Sequence, residues 1–160
     1  MIKIENEKGI TLIALAITII VLLILASITV YTGKESITES KTNILLSEVQ
    51  MVQHAALERY TKEETFSNDN YPGTKKYTTS QEILNDIGKL KNDQKLNDII
   101  ANTTAQNYYY LTPEDLEDLN ITNTENSYII NYKLGIAINV TKPYTQEGDP
   151  VYVYAKDRDD

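Results

Sequence analysis

The sequence predicts an α+β fold in which a long N-terminal transmembrane-to-head helix packs on a small C-terminal antiparallel β-sheet. Three observations carry that reading. Residues 10–30 form a run with no charge, no Pro and no Gly, and seventeen of these 21 residues are apolar. From there to about Lys62 the apolar residues recur at 3.6-residue spacing, the period of a helix with one buried face. From Tyr128 onward the period drops to two, the period of strands. The segments that follow are 1–9, a short polar start; 10–30, the membrane half of the helix; 31–62, its amphipathic half; and 63–160, a globular α+β head.

Composition narrows the function before any motif is sought. The chain has 160 residues, 15 Lys+Arg against 23 Asp+Glu, a net charge of −8 and a pI near 4.7. That balance argues against a nucleic-acid partner, which needs a basic face to neutralise phosphates. The absence of Cys excludes a disulfide scaffold, a thiol nucleophile and a thiolate metal site, and a single His excludes a multi-histidine zinc site. Beyond residue 30 apolar residues fall to about 35%, and all twelve Tyr lie there. The expected aliphatic core of the head is therefore thin, enough to cover one face of a sheet.

Twenty-one helical residues at 1.5 Å each span about 30 Å, the thickness of the hydrocarbon core of a bilayer. The only polar side chains in the run are Thr11, Thr18, Ser27 and Thr29. Each can bond a carbonyl one turn earlier, so the run can stay helical in lipid. A cleaved secretory signal would have a shorter apolar stretch and a small-x-small cleavage triplet, for which Leu25-Ala26-Ser27 is a poor substitute. A plain signal anchor is the simpler alternative. The junction before the run decides for a third reading.

Met1 to Lys8 is short and polar, and Gly9 then meets the apolar stretch abruptly. Lys8-Gly9-Ile10-Thr11-Leu12-Ile13, followed by an uninterrupted apolar helix, resembles the N-terminus of the type IV pilin superfamily, which includes pilins, minor pilins and the pseudopilins of type II secretion. The resemblance covers roughly the first 22 residues of the motif region. It implies a prepilin leader, cut by prepilin peptidase between Gly9 and Ile10, with N-methylation of Ile10. It also implies other pilin or pseudopilin subunits as partners through the N-terminal helix, membrane lipid before assembly, and no cofactor. One position departs from the family pattern. The fifth mature residue is usually Glu, whose carboxylate pairs with a neighbour's terminal amine, and here it is Ala14. An ion pair half-made in hydrocarbon is costly, so its absence suits a minor or tip subunit that needs no such partner.

Flanking charge is nearly symmetric, with Lys3 and Lys8 before the run and Lys34 and Lys41 after it. The leader resemblance and the composition of the head favour a single-pass membrane protein with its C-terminal head outside, and a cell-surface filament after assembly. Ile37, Ile44, Leu45, Val49, Val52 and Ala56 make the apolar stripe; Leu46 and Leu57 fall off it, and Glu48 falls on it. A helix unbroken from Ile10 to Lys62 would be about 80 Å long. Gly33 is its expected kink, and Thr32-Gly33-Lys34-Glu35 could open a fresh capping box. His54 reads as a surface or packed residue, since no nucleophile or metal ligand is spaced with it.

Thr65–Thr79 reads as a loop with a Pro72-Gly73 turn. Thr79-Ser80-Gln81-Glu82 is a capping box opening a helix with Ile83, Leu84, Ile87 and Leu90 inward. A short helix is expected through Leu96, Ile99 and Ile100. Thr112-Pro113-Glu114-Asp115 starts another that ends by Asn120, with Leu116 and Leu119 inward. Tyr128–Tyr132 and Ile136–Val140 alternate around Lys133-Leu134-Gly135, a bulge-type hairpin signal, and Val151–Ala155 supplies a third strand. In that sheet Ile136, Ile138 and Val140 share a face.

No phosphate loop, dinucleotide fingerprint, nucleophile elbow or metalloprotease motif is present. The expected function is thus structural rather than enzymatic. Glu147, Asp149 and Asp157 are the weak calcium candidates, with no EF-hand spacing behind them. Tyr108-Tyr109-Tyr110 suggests an aromatic platform, but alternate residues of a strand face opposite ways, so only Tyr108 and Tyr110 can share a side. Tyr as a filler of a half-buried sheet explains the excess without a ligand. Lys75-Lys76 is the only dibasic pair, and the Asn-x-Thr sequons at Asn102, Asn120 and Asn139 need only chance. The rival from another class is a single-pass membrane-anchored surface protein with a small ligand-binding or adhesive head.

Overall fold

The structure is a computed structural model that describes residues 5–154, with side chains described for 12–26 and 38–154. The chain divides into two units, Met1–Lys41 and Thr42–Asp160. Helix α1, Glu5–Phe66, supplies all the described structure of the first unit and the opening element of the second. It is assigned without interruption through Gly33, so Thr32-Gly33-Lys34-Glu35 does not start a fresh helix.

The second unit is α+β. Its sheet has five antiparallel strands in sequence order: β1 (Lys75–Lys76), β2 (Tyr108–Leu111), β3 (Tyr128–Asn131), β4 (Ile136–Asn139) and β5 (Tyr152–Val153). The sequence accounts for the last three strands; β1 and β2 are additions. Tyr108–Leu111 shows no polar alternation because Tyr108, Tyr109 and Leu111 are all buried, one side or the other. Between β1 and β2 lie α2 (Ser80–Asp86), a 3-10 turn (Gly88–Asn92) and α3 (Gln94–Ala101); α4 (Pro113–Glu117) follows β2.

The caps are where local chemistry puts them. Thr79 and Glu82 form a reciprocal capping box on α2, and Thr112 and Asp115 form one on α4 with Pro113 in the first turn. Both satisfy backbone N–H groups that the first helical turn leaves open. Helix α2 is shorter than its apolar spacing suggests: Gly88 turns left-handed at φ 57°, and Leu90 reaches the core from the 3-10 turn. Asp93 caps α3 by accepting from the Leu96 amide at 2.8 Å.

Both faces of the sheet are covered, which corrects the expectation of a single apolar face. Against one face lie Val49, Val52 and Ala56 of α1, packed with Tyr109, Leu111, Tyr128, Ile130, Tyr132 and Ala137. Against the other lie Ile83, Ile87, Leu90, Leu96 and Ile100, packed with Tyr108, Ile129, Ile136 and Ile138. Strand alternation sorts the residues: Tyr109 pairs Ile130 toward α1, while Tyr110 pairs Ile129 toward α2 and α3. Val140 joins Ile136 and Ile138 on that second face, as alternation requires.

The α1 stripe is narrower than expected. Val49, Val52 and Ala56 are fully buried, Leu45 is partly so, and Ile44 is 63% exposed. Ile37 lies outside the residues whose side chains are described. Leu57, off the stripe by periodicity, meets the hairpin instead. Gly135 sits at φ 63°, and a Cβ there would lie 2.7 Å from Leu57 Cγ. Only glycine combines that left-handed backbone with so close an approach.

Candidate functional site: apolar helix, glutamate clasp and tyrosine cleft

Gly9 and Ile10 lie within the helical backbone of α1, which begins at Glu5; their side chains are outside the described residues. Ala14 is exposed, on a helix whose neighbours are also exposed. Leu12 is 68% accessible, and Leu22, Leu23, Ile24 and Leu25 are each more than half so. Four consecutive residues at about 100° steps reach every side of a helix, so this surface is apolar all round rather than on one face. Thr18 Oγ1 donates to the Leu15 carbonyl at 2.8 Å, hiding its hydroxyl in the helix. Among the described residues no helix is long and apolar enough to cross a membrane. The described side chains, 12–26, extend over about 22 Å, whereas the apolar sequence runs from 10 to 30.

In the second unit, Glu48 explains itself. The carboxylate on the apolar stripe accepts three hydrogen bonds at Oε1: from Thr124 Oγ1 at 2.6 Å, Tyr128 OH at 2.7 Å and Asn126 Nδ2 at 2.9 Å. Partial burial alone would push its pKa up. The three donors and the charge of Lys142 outweigh that, and the carboxyl is held below its ordinary value. Glu48 thus clasps α1 to β3 and to the loop before it. Tyr128 OH, buried and pushed upward in pKa, also accepts from Asn139 Nδ2 at 3.2 Å. Asn139 is fully buried, which takes the third sequon out of reach in the folded head.

A cleft of 170 Å³ opens beside this layer, between the end of α1 and strand β2. Its aromatic wall is Tyr60, Tyr71, Tyr109 and Tyr132. Tyr71 is the hub, with ring centroids 4.9 Å from Tyr132, 5.8 Å from Tyr109 and 6.4 Å from Tyr60. Tyr109 meets Tyr132 edge-on at 5.4 Å. Polar groups complete the lining: Glu64 and Asp69 on one side, Lys76, Lys133, Gln106 and Asn107 on the other. Lys76 Nζ sits 5.3 Å over the Tyr109 ring. Burial, with Glu64 and Asp69 nearby, raises the Tyr71 pKa to about 12, so its hydroxyl stays protonated across the physiological range.

Tyr71 is set on a loop tied down at three points. Arg59 Nη2 donates to the Asn70 carbonyl at 2.6 Å while its Nε pairs Glu63 at 2.8 Å. Tyr132 OH donates to the Pro72 carbonyl at 2.8 Å. Thr74 donates through Oγ1 to Asp115 Oδ2 at 2.7 Å and through its amide to the Tyr110 carbonyl at 2.9 Å. Pro72-Gly73 is therefore less a reversal than a close pass: a Cβ at Gly73 would lie 3.0 Å from Tyr109 Cβ. The Tyr triplet hinted at an aromatic surface, but only Tyr109 joins it; Tyr60, Tyr71 and Tyr132 come from distant positions, and no spacing links them.

The remaining sequence candidates are placed separately. Glu147 and Asp149 are exposed in the connection between β4 and β5, and Asp157 lies outside the described residues. Among the described residues no three His, Cys, Asp or Glu side chains gather as a metal site. His54 is exposed on α1. Lys75 and Lys76 form the edge strand, with Lys75 Nζ 2.7 Å from Asp86 Oδ2. Compared with protein-family models, curated proteins and solved structures, the chain matches none.

Proposed function

We propose that this chain is a prepilin-type structural subunit of a type IV pilus, competence filament or type II secretion pseudopilus, in a minor or tip position. The observation that carries the reading is the junction Lys8-Gly9-Ile10 opening an uncharged apolar helix. The all-round apolar surface of residues 12–25 supports it, because such a helix needs lipid or other helices on every side. A head built on an antiparallel sheet with the later part of α1 packed against it supports it further. The work is mechanical: prepilin peptidase removes the leader, the apolar helices of neighbouring subunits pack lengthwise, and the heads face solvent. Ala14 brings no carboxylate to that packing, so this subunit registers by shape alone.

Mass spectrometry of the mature N-terminus in cells with active prepilin peptidase tests the proposal. A chain beginning at Ile10 is expected, and Gly9→Ala should block its appearance. An intact Met1–Gly9 segment, or processing indifferent to Gly9→Ala, would return the chain to the class of membrane-anchored surface proteins.

A further inference from the structure

From the lining of the tyrosine cleft we infer a second role for the head: a binding site for a neutral saccharide ring, floored by Tyr71, Tyr109 and Tyr132. The shape sets the scale. A volume of 170 Å³ equals roughly six waters at ≈30 Å³ each, room for one small ring with the rest of a glycan in solvent. Sugar rings offer C–H faces that lie on aromatic rings, and hydroxyls that both donate and accept. The cleft offers the complement. Tyrosine rings line its floor, and the carboxylates of Glu64 and Asp69 accept, while the amides of Gln106 and Asn107 do both.

Charge decides between this ligand and its competitors. Aromatic cages take quaternary ammonium ions when their ring faces are open to a cation. Here a cation is already supplied internally, since Lys76 Nζ lies over Tyr109, and Lys133 adds a second positive charge. An anion would meet Glu64 and Asp69. Two acids and two lysines leave no net field for an ion of either sign, and a neutral polyhydroxyl ring fits that balance.

The site is also built before the ligand arrives. Arg59, Tyr132 and Asp115 fix the loop on both sides of Tyr71, so little ordering remains to oppose binding. Glu64, Asp69, Lys76 and Gln106 are exposed at the rim, giving a ligand access. A single ring in so small a cleft binds in the millimolar range, and a multivalent array of heads would raise the avidity.

The test uses the full chain in a polyoxyethylene detergent, whose head group carries no sugar. Saturation-transfer NMR with the methyl glycosides of glucose, galactose and N-acetylglucosamine, and with lactose, should give a saturable signal for at least one. Tyr71→Ala and Glu64→Ala are each expected to weaken that binding at least tenfold. Tyr110→Phe, on the opposite face of the sheet, should leave it unchanged, and near-UV circular dichroism reports whether each variant stays folded. If Tyr71→Ala unfolds, Glu64→Ala on the exposed helix surface carries the test. Three results overturn the inference: no saturable signal with any of these glycosides up to tens of millimolar; binding that survives Glu64→Ala and a folded Tyr71→Ala; or saturable binding of tetramethylammonium that the glycosides do not displace. None of these depends on whether the leader is processed, so the outcome stands apart from the filament proposal.

Discussion

Replacing Glu48 by Ala removes one acceptor oxygen and strands the groups that donate to it. Thr124 is half-buried and can turn to water, but Asn126 and Tyr128 are not free to do so, being 5% and 0% exposed. Tyr128 keeps the hydrogen bond it accepts from Asn139 and loses the one it donates. Two buried donors left unmade cost about 1–3 kcal/mol each, so the expected loss is about 3–4 kcal/mol. Glu48→Gln retains a carbonyl acceptor without its charge and should cost about 1–2 kcal/mol. For a head of this length 1 kcal/mol corresponds to roughly 3–5 °C, so the Ala variant should melt about 10–20 °C lower. Near-UV circular dichroism of the detergent-solubilised full chain reads this directly, since the chain has twelve Tyr and no Trp. Combining Glu48→Ala with Tyr128→Phe should recover about 1–2 kcal/mol relative to the sum of the single changes, because both act on one hydrogen bond. A Glu48→Ala loss within about 0.5 kcal/mol, ordinary for a surface change, would refute the clasp.

Two further outcomes follow from the same packing. Gly135→Ala should cost the left-handed backbone penalty plus the collision with Leu57, about 2–4 kcal/mol, whereas Gly88→Ala, equally left-handed with nothing within 4 Å of its Cβ, should cost only about 1–2 kcal/mol. Equal urea midpoints for the two variants would show that Leu57 does not press on the hairpin. In acid, Glu48, Glu82, Asp86 and Asp115 all have folded-state pKa values below their ordinary ones. The unfolded chain therefore binds more protons, and stability present above about pH 4–5 is lost as pH falls through the folded values. A urea midpoint flat from pH 7 to pH 3 would contradict these directions, and Glu48→Gln should remove part of the decline.

The acidic clasps belong to residues that a sequence reading handles unevenly. Thr112 to Asp115 and Thr79 to Glu82 are legible because each box closes within three residues, a distance set by the helix itself. Asp115 does more than that box reveals, since Oδ2 also holds Thr74 across 41 positions. Burial alone would raise its pKa; the bonds from Thr112 and Thr74 lower it instead. Glu48 stood out in sequence only as a charge on an apolar stripe, and nothing local named its partners about 80 residues away.

The tyrosines divide along the same line. Their excess reads as sheet filler, and the buried ones do pair their hydroxyls: Tyr77 to Asp86, Tyr108 with Thr103, Tyr128 to Glu48, Tyr132 to Pro72. Which of them would share a cleft is not written in any spacing. Strand β1 is two residues long, and it exists because Tyr109 and Tyr110 stand opposite Lys76 and Lys75.

What the sequence determined by itself is therefore what short range and periodicity encode: the apolar run and its abrupt start at Gly9, the helix caps, the left-handed glycine of the hairpin, and the alternation of the last strands. Hydrogen-bond geometry and side-chain period act over a few residues, so those features can be read from neighbours alone. The tertiary structure decided that the sheet has five strands and two covered faces, that Glu48 is a clasp, and that four tyrosines from three parts of the chain form one cleft. Each of these depends on which surfaces meet after long loops close, and that choice rests on the summed burial of many residues rather than on any local pattern.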